Sequence, residues 1–479
     1  MKRYLSKNLI LFFVIYLCIF IGSINKIFVF PSLALAFIIS LALGISAKKS
    51  KDSSVCIGII SLLIFQNLLI GLGAHLAGNH DSSLKFMTQI PFISVFNIWI
   101  VNILNNSKNN KMIFGKERKY FIIYLLCIVF SFFVGRGNFQ GILINIRNMT
   151  IFFMAFEIGK YYLDTKDKMD SFFDYLMKMA FFILVFGIIL QIFGYKLYSI
   201  IGVDEVYIAK GSTLPGGKLD DRFYTTLISS QVIRMGSIFY EPVNLAYFYA
   251  MTLIMSIFYK KNNKQNNKMF NIIINGLGLF LTFGKGGYLL FFSCIGFIVI
   301  TKFIKKLFFA TKVKKILKYS CLLIVIVITT FCIYYYKNIG AAVSPHFWAV
   351  IRTWNSVLQK PYGHGLGTGG NMSLLFNTGK STASYDSSWL ATGGESALMS
   401  FMYQLGIQGV LCLFICMLSM VKKIRDKTEY NNFYKIIWFL PVVIVGVALL
   451  QDNTFTPQCI VLIMLIIGGT NNLEEKNEA

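Results

Sequence analysis

The chain has no polar stretch long enough to fold as a separate soluble domain, so residues 1–479 are read as one unit. Acidic residues are scarce: 21 Asp and Glu stand against 46 Lys and Arg, with only four histidines. None of the nine cysteines lies outside an apolar run. No disulfide framework and no metal-type cysteine spacing is therefore expected. Cys412 and Cys416, one helical turn apart, read as small core residues. No small-x-small cleavage site follows the first apolar run, Leu9 to Ser23, so that run is read as a retained helix rather than a signal peptide. An inverted internal repeat of the kind many transporters carry is also missing.

What fills the chain instead is apolar: 56% of its residues are hydrophobic, and the mean hydropathy is +0.63. Bilayer-length apolar runs recur from end to end. A backbone in lipid must satisfy its own hydrogen bonds, so the expected fold is an all-α polytopic membrane protein in a single membrane domain. About 14 spans (12–14) are predicted: 9–24, 27–46, 55–73, 86–104, 120–134, 140–159, 172–194, 238–259, 269–283, 287–303, 319–336, 396–420, 434–450 and 454–469. With the N-terminus inside, the inner segments hold 31 Lys and Arg and the outer segments 13, while Arg147 and Lys178 fall within spans. Both termini are thus expected on the cytoplasmic side. The net charge of +25 is then a topology signal, with attraction to anionic membrane lipid as a by-product, and no nucleic-acid partner is expected.

Two extracytoplasmic connections are long, 195–237 and 337–395, and long ordered loops on a helical scaffold are where sites tend to be built. The first carries Asp204-Glu205, Leu214-Pro-Gly-Gly217 and Asp220-Asp221-Arg222. It ends in Arg234-Met-Gly-Ser-Ile-Phe-Tyr-Glu241-Pro242, at the mouth of a span. Charge there is costly and calls for a reason. The second carries Arg352, then Pro361-Tyr-Gly-His364-Gly-Leu-Gly-Thr-Gly-Gly370, then Gly393-Gly394-Glu395. Between the two, 269–303 would be roughly 50 Å long as one helix, well beyond the bilayer core. A hairpin with its tip at Gly284 to Gly287 keeps the lysine-rich 302–318 inside. The tip would carry Lys285 below the outer surface, where it needs an anionic partner, and its glycines would let a phosphate approach the backbone. Arg147 lies about two turns into its span. With Arg136, Arg234 and Lys285 it gives four cations in the outer half, able to converge on one anion. No Asp-x-Asp motif faces outward, so neither metal nor cofactor is expected, and Asp220-Asp221 reads as a solvated pair.

Four stretches, in order, resemble the family of bacterial O-antigen and capsule polymerases and O-antigen ligases. They are Arg234-x-Gly236-x-x-Phe239-x-Glu241-Pro242; Leu281-Thr-Phe-Gly-Lys285-Gly-Gly287, where the family commonly has Thr-x-Ser-Arg-Gly; Arg352 with Val357-Leu358-x-x-Pro361-x-Gly363-x-Gly365-x-Gly367; and Glu395-Ser-Ala-Leu-Met-Ser-Phe-Met-Tyr-Gln-Leu-Gly406-Ile-Gln-Gly409. The resemblance covers about 230–420. It implies glycan transfer from an undecaprenyl-pyrophosphate-linked oligosaccharide to an acceptor sugar on the outer face of the bacterial cytoplasmic membrane. Partner proteins would be a flippase and a chain-length regulator. Two departures matter. Lys285 replaces the usual arginine and loses bidentate phosphate recognition. Gly394-Glu395 stands where ligases carry His-Asn, which favours polymerase over ligase.

On that resemblance Arg147, Arg234 and Lys285, with Arg352, would hold the departing pyrophosphate. The acceptor hydroxyl needs a general base. Glu241 comes first, with Pro242 suited to the first helical position; His364 and Glu395 are the alternatives. Each residue has a plain structural reading beside the functional one. Glu241 would pair with Arg234, Lys285 would snorkel, Arg147 would pair within the helix packing, and Gly363 to Gly370 would form a turn. His75, His80 and His346 read as ordinary loop residues. Tyr207, Tyr224, Trp348, Trp354, Tyr362, Tyr385 and Trp389 suit either stacking on sugars or anchoring at the interface. The competing functions are an O-antigen ligase, which demands a glycolipid acceptor, and a flippase or transporter of lipid-linked oligosaccharide. A transporter should carry charge at mid-membrane on several helices, whereas the polar groups here gather toward one side.

Overall fold

A computed structural model describes residues 2–79, 81–107, 116–209, 219, 221–227, 230–261, 267–307, 344–371, 391–428 and 431–473. The predicted span 319–336 and the loop residues 214–217, Asp220, His80, Tyr385 and Trp389 lie outside the described residues. The described residues are about 85% helical with almost no sheet. The helices, in order, are α1 (Lys2–Ile24), α2 (Lys26–Ser50), α3 (Ser54–Ala77), α4 (Ile90–Ser107), α5 (Lys116–Val134), α6 (Phe139–Tyr162), α7 (Lys166–Phe193), α8 (Tyr195–Ile200) and α9 (Val203–Ala209). They continue as α10 (Pro242–Phe258), α11 (Lys268–Thr282), α12 (Lys285–Leu307), α13 (Ser344–Gln359), α14 (Ala397–Met420), α15 (Asn432–Leu450) and α16 (Pro457–Asn472).

Among the described residues nine helices are long and apolar enough to cross a membrane, and α10, α11 and α16 are shorter apolar helices. The predicted spans fall on these helices within a few residues. Three begin differently. Residues 86–89 belong to the 3-10 stretch Ser82–Gln89 ahead of α4, 238–239 to the 3-10 turn Ser237–Phe239 ahead of α10, and 454–455 to the 3-10 turn Asp452–Phe455 ahead of α16.

The centre is α16, buried along nearly its whole length because it is apolar on every face. It packs closely on α6. A Cβ at Gly468 would sit 2.7 Å from the Lys160 nitrogen, and one at Gly159 would sit 2.8 Å from the Leu465 Cα. Small residues let two backbones approach where lipid gives no hydrophobic drive between helices.

One end of the bundle is basic, and some of its cations are paired with carboxylates. Arg118 meets Glu157 at 2.6 Å, Lys160 meets Glu117 at 3.7 Å and Lys261 meets Asp174 at 2.5 Å. The other end gathers the start of α10, the α11–α12 turn, the start of α14 and the α15–α16 turn.

At that second end the described parts of both long connections carry secondary structure. The first holds α8, α9 and a hairpin of β1 (Tyr224–Leu227) and β2 (Ser230–Ile233), with Tyr224 opposite Ile233. The second holds α13, an amphipathic helix. Ala349, Thr353 and Val357 are buried on one face, and Trp348, Trp354 and Leu358 are exposed on the other.

Candidate functional site

Pro242 occupies the first position of α10, and Glu241 is its extended N-cap residue. The missing N–H of proline costs nothing there, so the helix start is fixed and Glu241 is held at its lip. Arg234 follows β2 directly. Its N–H donates to the Phe223 carbonyl at 2.7 Å, and the Met235 N–H donates to the Leu281 carbonyl at 2.9 Å. The hairpin is thereby tied to the last turn of α11. The Arg234 Nε then donates to the Thr282 carbonyl at 3.1 Å and Nη1 to the Arg222 carbonyl at 3.3 Å. Two of five guanidinium donors are spent on backbone, one of them capping the helix end where cations are favoured. The carboxylate of Glu241 pairs with Arg222, 3.1 Å from its Nη1, and not with Arg234 as the sequence suggests.

The α11–α12 hairpin is present, but it turns at Phe283, φ 46°, ahead of the expected tip at Gly284 to Gly287, and Lys285 to Gly287 already belong to α12. Lys285 is the first residue of α12 and is exposed. The neighbouring glycines do not wait for a phosphate. A Cβ at Gly286 would meet the Tyr247 hydroxyl at 2.7 Å, and one at Gly287 the Ala246 carbonyl at 2.5 Å. They let α12 press against α10.

Across from these groups the start of α14 is pinned to α15 and to the turn after it. Ser396 Oγ donates to the Ala448 carbonyl at 3.0 Å, and the Ala397 N–H donates to the Gln451 carbonyl at 3.2 Å. That linkage sets Glu395 beside Asp452, the first residue of the 3-10 turn Asp452–Phe455. Asn371 Nδ2 donates to Asp452 Oδ2 at 2.6 Å. From α13, His346 Nδ1 lies 3.4 Å from Glu395 Oε2 and 3.2 Å from the Glu395 carbonyl.

Burial first, and the neighbouring Asp452 second, push the Glu395 carboxyl up to about 8, against the pull of Arg222 and Lys285. Burial raises Asp452 as well, and Glu241 adds to the rise, while Arg222, Asn371 and His346 oppose it. Two coupled carboxyls in one buried site cannot both ionise freely. Burial lowers His346, which is therefore neutral at pH 7. Burial also lowers Arg234, with Glu241 and Tyr207 pulling the other way. Three cations, Arg222, Arg234 and Lys285, face the carboxyls of Glu241, Asp452 and Glu395, the last of which keeps its proton to about pH 8. The cluster carries a net positive charge beside a carboxyl that can give or take a proton near neutrality. It can hold an anion and move a proton.

Arg234, Lys285, Glu241 and Glu395, all expected in the site, thus come together. The remaining predicted residues stand elsewhere. Arg147 bonds Gln89 at 3.2 Å and Asn148 at 3.1 Å. Arg136 is exposed and forms a backbone bridge to Leu366. Arg352 lies over the Trp348 ring at 5.8 Å.

His364 stacks on Tyr403 at 4.1 Å and shares a 3.1 Å hydrogen bond with Ser356, so it serves packing. The glycine loop around it is scaffold too. The His364 N–H donates to the Tyr403 carbonyl at 2.8 Å, and Gly365 N–H to Gln404 O at 3.2 Å. Gln404 Oε1 accepts from Gly367 N–H at 2.8 Å. The loop fills a kink in α14 at Gly406, where φ is 74°.

Sequence reasoning passed over Asp452 and Asn371, noted Arg222 without giving it a role, and took His346 for an ordinary loop residue. Asp452 carried a signal: it is an acid in a short turn between two apolar helices, in a chain only 14% charged. No protein-family model, no curated protein and no solved structure matches this chain.

Proposed function

We propose that the protein is a polysaccharide polymerase. It would transfer glycan from an undecaprenyl-pyrophosphate carrier to an acceptor sugar on the outer face of the bacterial cytoplasmic membrane. The observation that carries this reading is the meeting of Arg222, Arg234 and Lys285 with the Glu395–Asp452 pair at one end of a bundle of membrane-length helices. In this reading helices α1–α7, α10–α12 and α14–α16 would make thirteen crossings and the apolar run 319–336 a fourteenth; both termini would then lie with the basic end in the cytoplasm, and the site would face outward.

In this reading the three cations stabilise the charge that grows on the leaving pyrophosphate. Glu395, raised to about 8, acts through its ionised form, a minority at pH 7, and takes the proton of the acceptor hydroxyl, because a base works best with a pKa near the operating pH. Glu241 is bound to Arg222 and serves to aim it. Among the described residues no group of three or more His, Cys, Asp or Glu is arranged to hold a metal ion. A ligase is the second reading, supported by His346 beside Glu395.

Purified protein given lipid-linked repeat units tests the proposal. Chains longer than one unit are expected. Recovery of unit-length glycan alone would refute polymerase action and leave a transporter. Transfer to a lipid A core acceptor without chain growth would favour the ligase.

A further inference from the structure

The basic end of the bundle holds a cavity of about 520 Å³, lined by α3, α7 and the segment that follows α10. Its main wall is one face of α7. Asp167, Ser171, Asp174 and Lys178 line it, spaced by four, three and four residues, so they stand in a row along the helix. Most of the charged and polar groups around the cavity already have partners. Lys261 Nζ meets Asp174 Oδ2 at 2.5 Å, and the Tyr259 hydroxyl donates to Asp170 Oδ1 at 2.6 Å. The Tyr175 hydroxyl bonds Ser61 Oγ of α3. These contacts fix α7 against its neighbours and keep the cavity open.

Two charges are left over. Asp167 and Lys178 are exposed, and among the described residues neither side chain makes an ion pair or hydrogen bond. They are eleven residues apart, about 16 Å along the helix. Lys178 is the deeper one, well inside an apolar span, where an unpaired charge is costly. Side chains on a helix lean toward its start, so the Lys178 ammonium reaches back toward the headgroup layer and toward Asp167.

Beyond Lys178 the same row turns apolar. Phe182, Val185 and Ile189 continue the spacing of four, three and four, and all are exposed. From the helix start toward the bilayer centre the face therefore presents carboxylate, then ammonium, then a hydrocarbon track. An amine-bearing phospholipid has the complementary order, with its ammonium outermost, its phosphate nearer the glycerol and its acyl chains deepest. Phosphate meets Lys178, and the ammonium meets Asp167. A glycerol headgroup has no cation for Asp167, and the quaternary nitrogen of choline has no N–H to donate to it.

We propose that this face of α7 is a binding site for one phospholipid with a primary amine in its headgroup, of which phosphatidylethanolamine is the simplest. The apolar track commits the site to the lipid rather than to the free headgroup. It lies at the opposite end of the bundle from Glu395 and does not depend on the polymerase reading.

Full-length protein in detergent, titrated with phosphatidylethanolamine, phosphatidylcholine or phosphatidylglycerol of matched chains and counted by native mass spectrometry, tests this. Wild type should hold one phosphatidylethanolamine with roughly tenfold higher affinity than either of the others. Lys178→Gln should lose that equivalent. Asp167→Asn should bind the three lipids alike. Asp167→Lys should turn the preference toward phosphatidylglycerol, a gain that a folding defect cannot produce. Equal affinity of wild type for the three lipids, or a preference for phosphatidylglycerol, overturns the amine site. So does a preference for phosphatidylethanolamine that survives both Lys178→Gln and Asp167→Lys, which would place the lipid elsewhere. Displacement of the bound lipid by equimolar O-phosphoethanolamine would assign the site to the soluble headgroup and overturn the lipid.

Discussion

Replacing Glu395 by glutamine should stabilise the protein at alkaline pH and leave it unchanged in acid. The carboxyl is raised from an ordinary 4.5 to about 8, by burial first and by Asp452 second. Between those values the folded chain keeps a proton that the unfolded chain has released. Stability therefore falls as pH rises through that window. The rise corresponds to about 5 kcal/mol at pH 9. Because Asp452 shares the titration, roughly 2–5 kcal/mol is the range to expect for Glu395 alone. The side chain is only 23% exposed, so solvent screening removes little of this. Glutamine copies the neutral carboxyl and carries no such penalty. Thermal unfolding followed by tryptophan fluorescence in detergent at pH 5, 7 and 9 would read it. The variant's apparent Tm should match wild type at pH 5 and exceed it by roughly 5 °C or more at pH 9. A gap that stays constant with pH, or a variant less stable than wild type at pH 9, would refute the raised proton affinity. The assignment of Glu395 as base would fall with it.

Three further outcomes follow from the geometry. Arg222→Ala should cost only about 1 kcal/mol of stability, because the guanidinium side chain is 47% exposed and exposed ion pairs are worth little. The same change should lower chain growth by about 100-fold or more, as expected for loss of a preorganised cation; equal small losses in both would remove Arg222 from the site. Arg234→Ala and Lys285→Ala should each abolish chain growth while leaving folded protein in the membrane, as judged by size-exclusion elution in detergent. Normal polymerisation by both would end the clamp assignment. Gly365→Ala should destabilise by about 1–3 kcal/mol or more. Its φ is +106°, and a Cβ there would lie 2.5 Å from the Gly135 Cα. A thermal scan showing no change would mean the glycine loop is not the wedge between α14 and the α5–α6 turn.

The helices were legible because hydropathy is a local property. Each apolar run that lies in the described residues became a helix, and the break at Gly284 was readable from length and charge alone. The N-terminal stop at Pro242 was legible for the same reason: the ring dictates its own position. Helix α13 was missed because its pattern is amphipathic. It alternates Trp348 and Trp354 with Ala349 and Thr353, which resembles a loop when only unbroken apolar runs are sought. The glycines near Lys285 and His364 were readable as close approaches but not as approaches to what. The structure gives both to neighbouring helices.

The site itself shows where one-dimensional reading stops. Arg136, Arg147, Arg234 and Lys285 all fall in the half of the bundle that a charge count assigns to one side, and side is all that such a count can give. Which of them meet depends on which helices are neighbours, and that is decided by contacts such as Gly159 on α16 and Gly287 on α10. These contacts draw the α11–α12 turn and the α15–α16 turn to the start of α14. Lys285 and Asp452 are thereby brought to Glu395 across more than a hundred residues. Arg147, on the far side of the glycine loop, is given amides instead. A cation held by neutral partners and a cation held beside carboxylates do different work: the first keeps its full charge, and the second trades part of it for control of a proton.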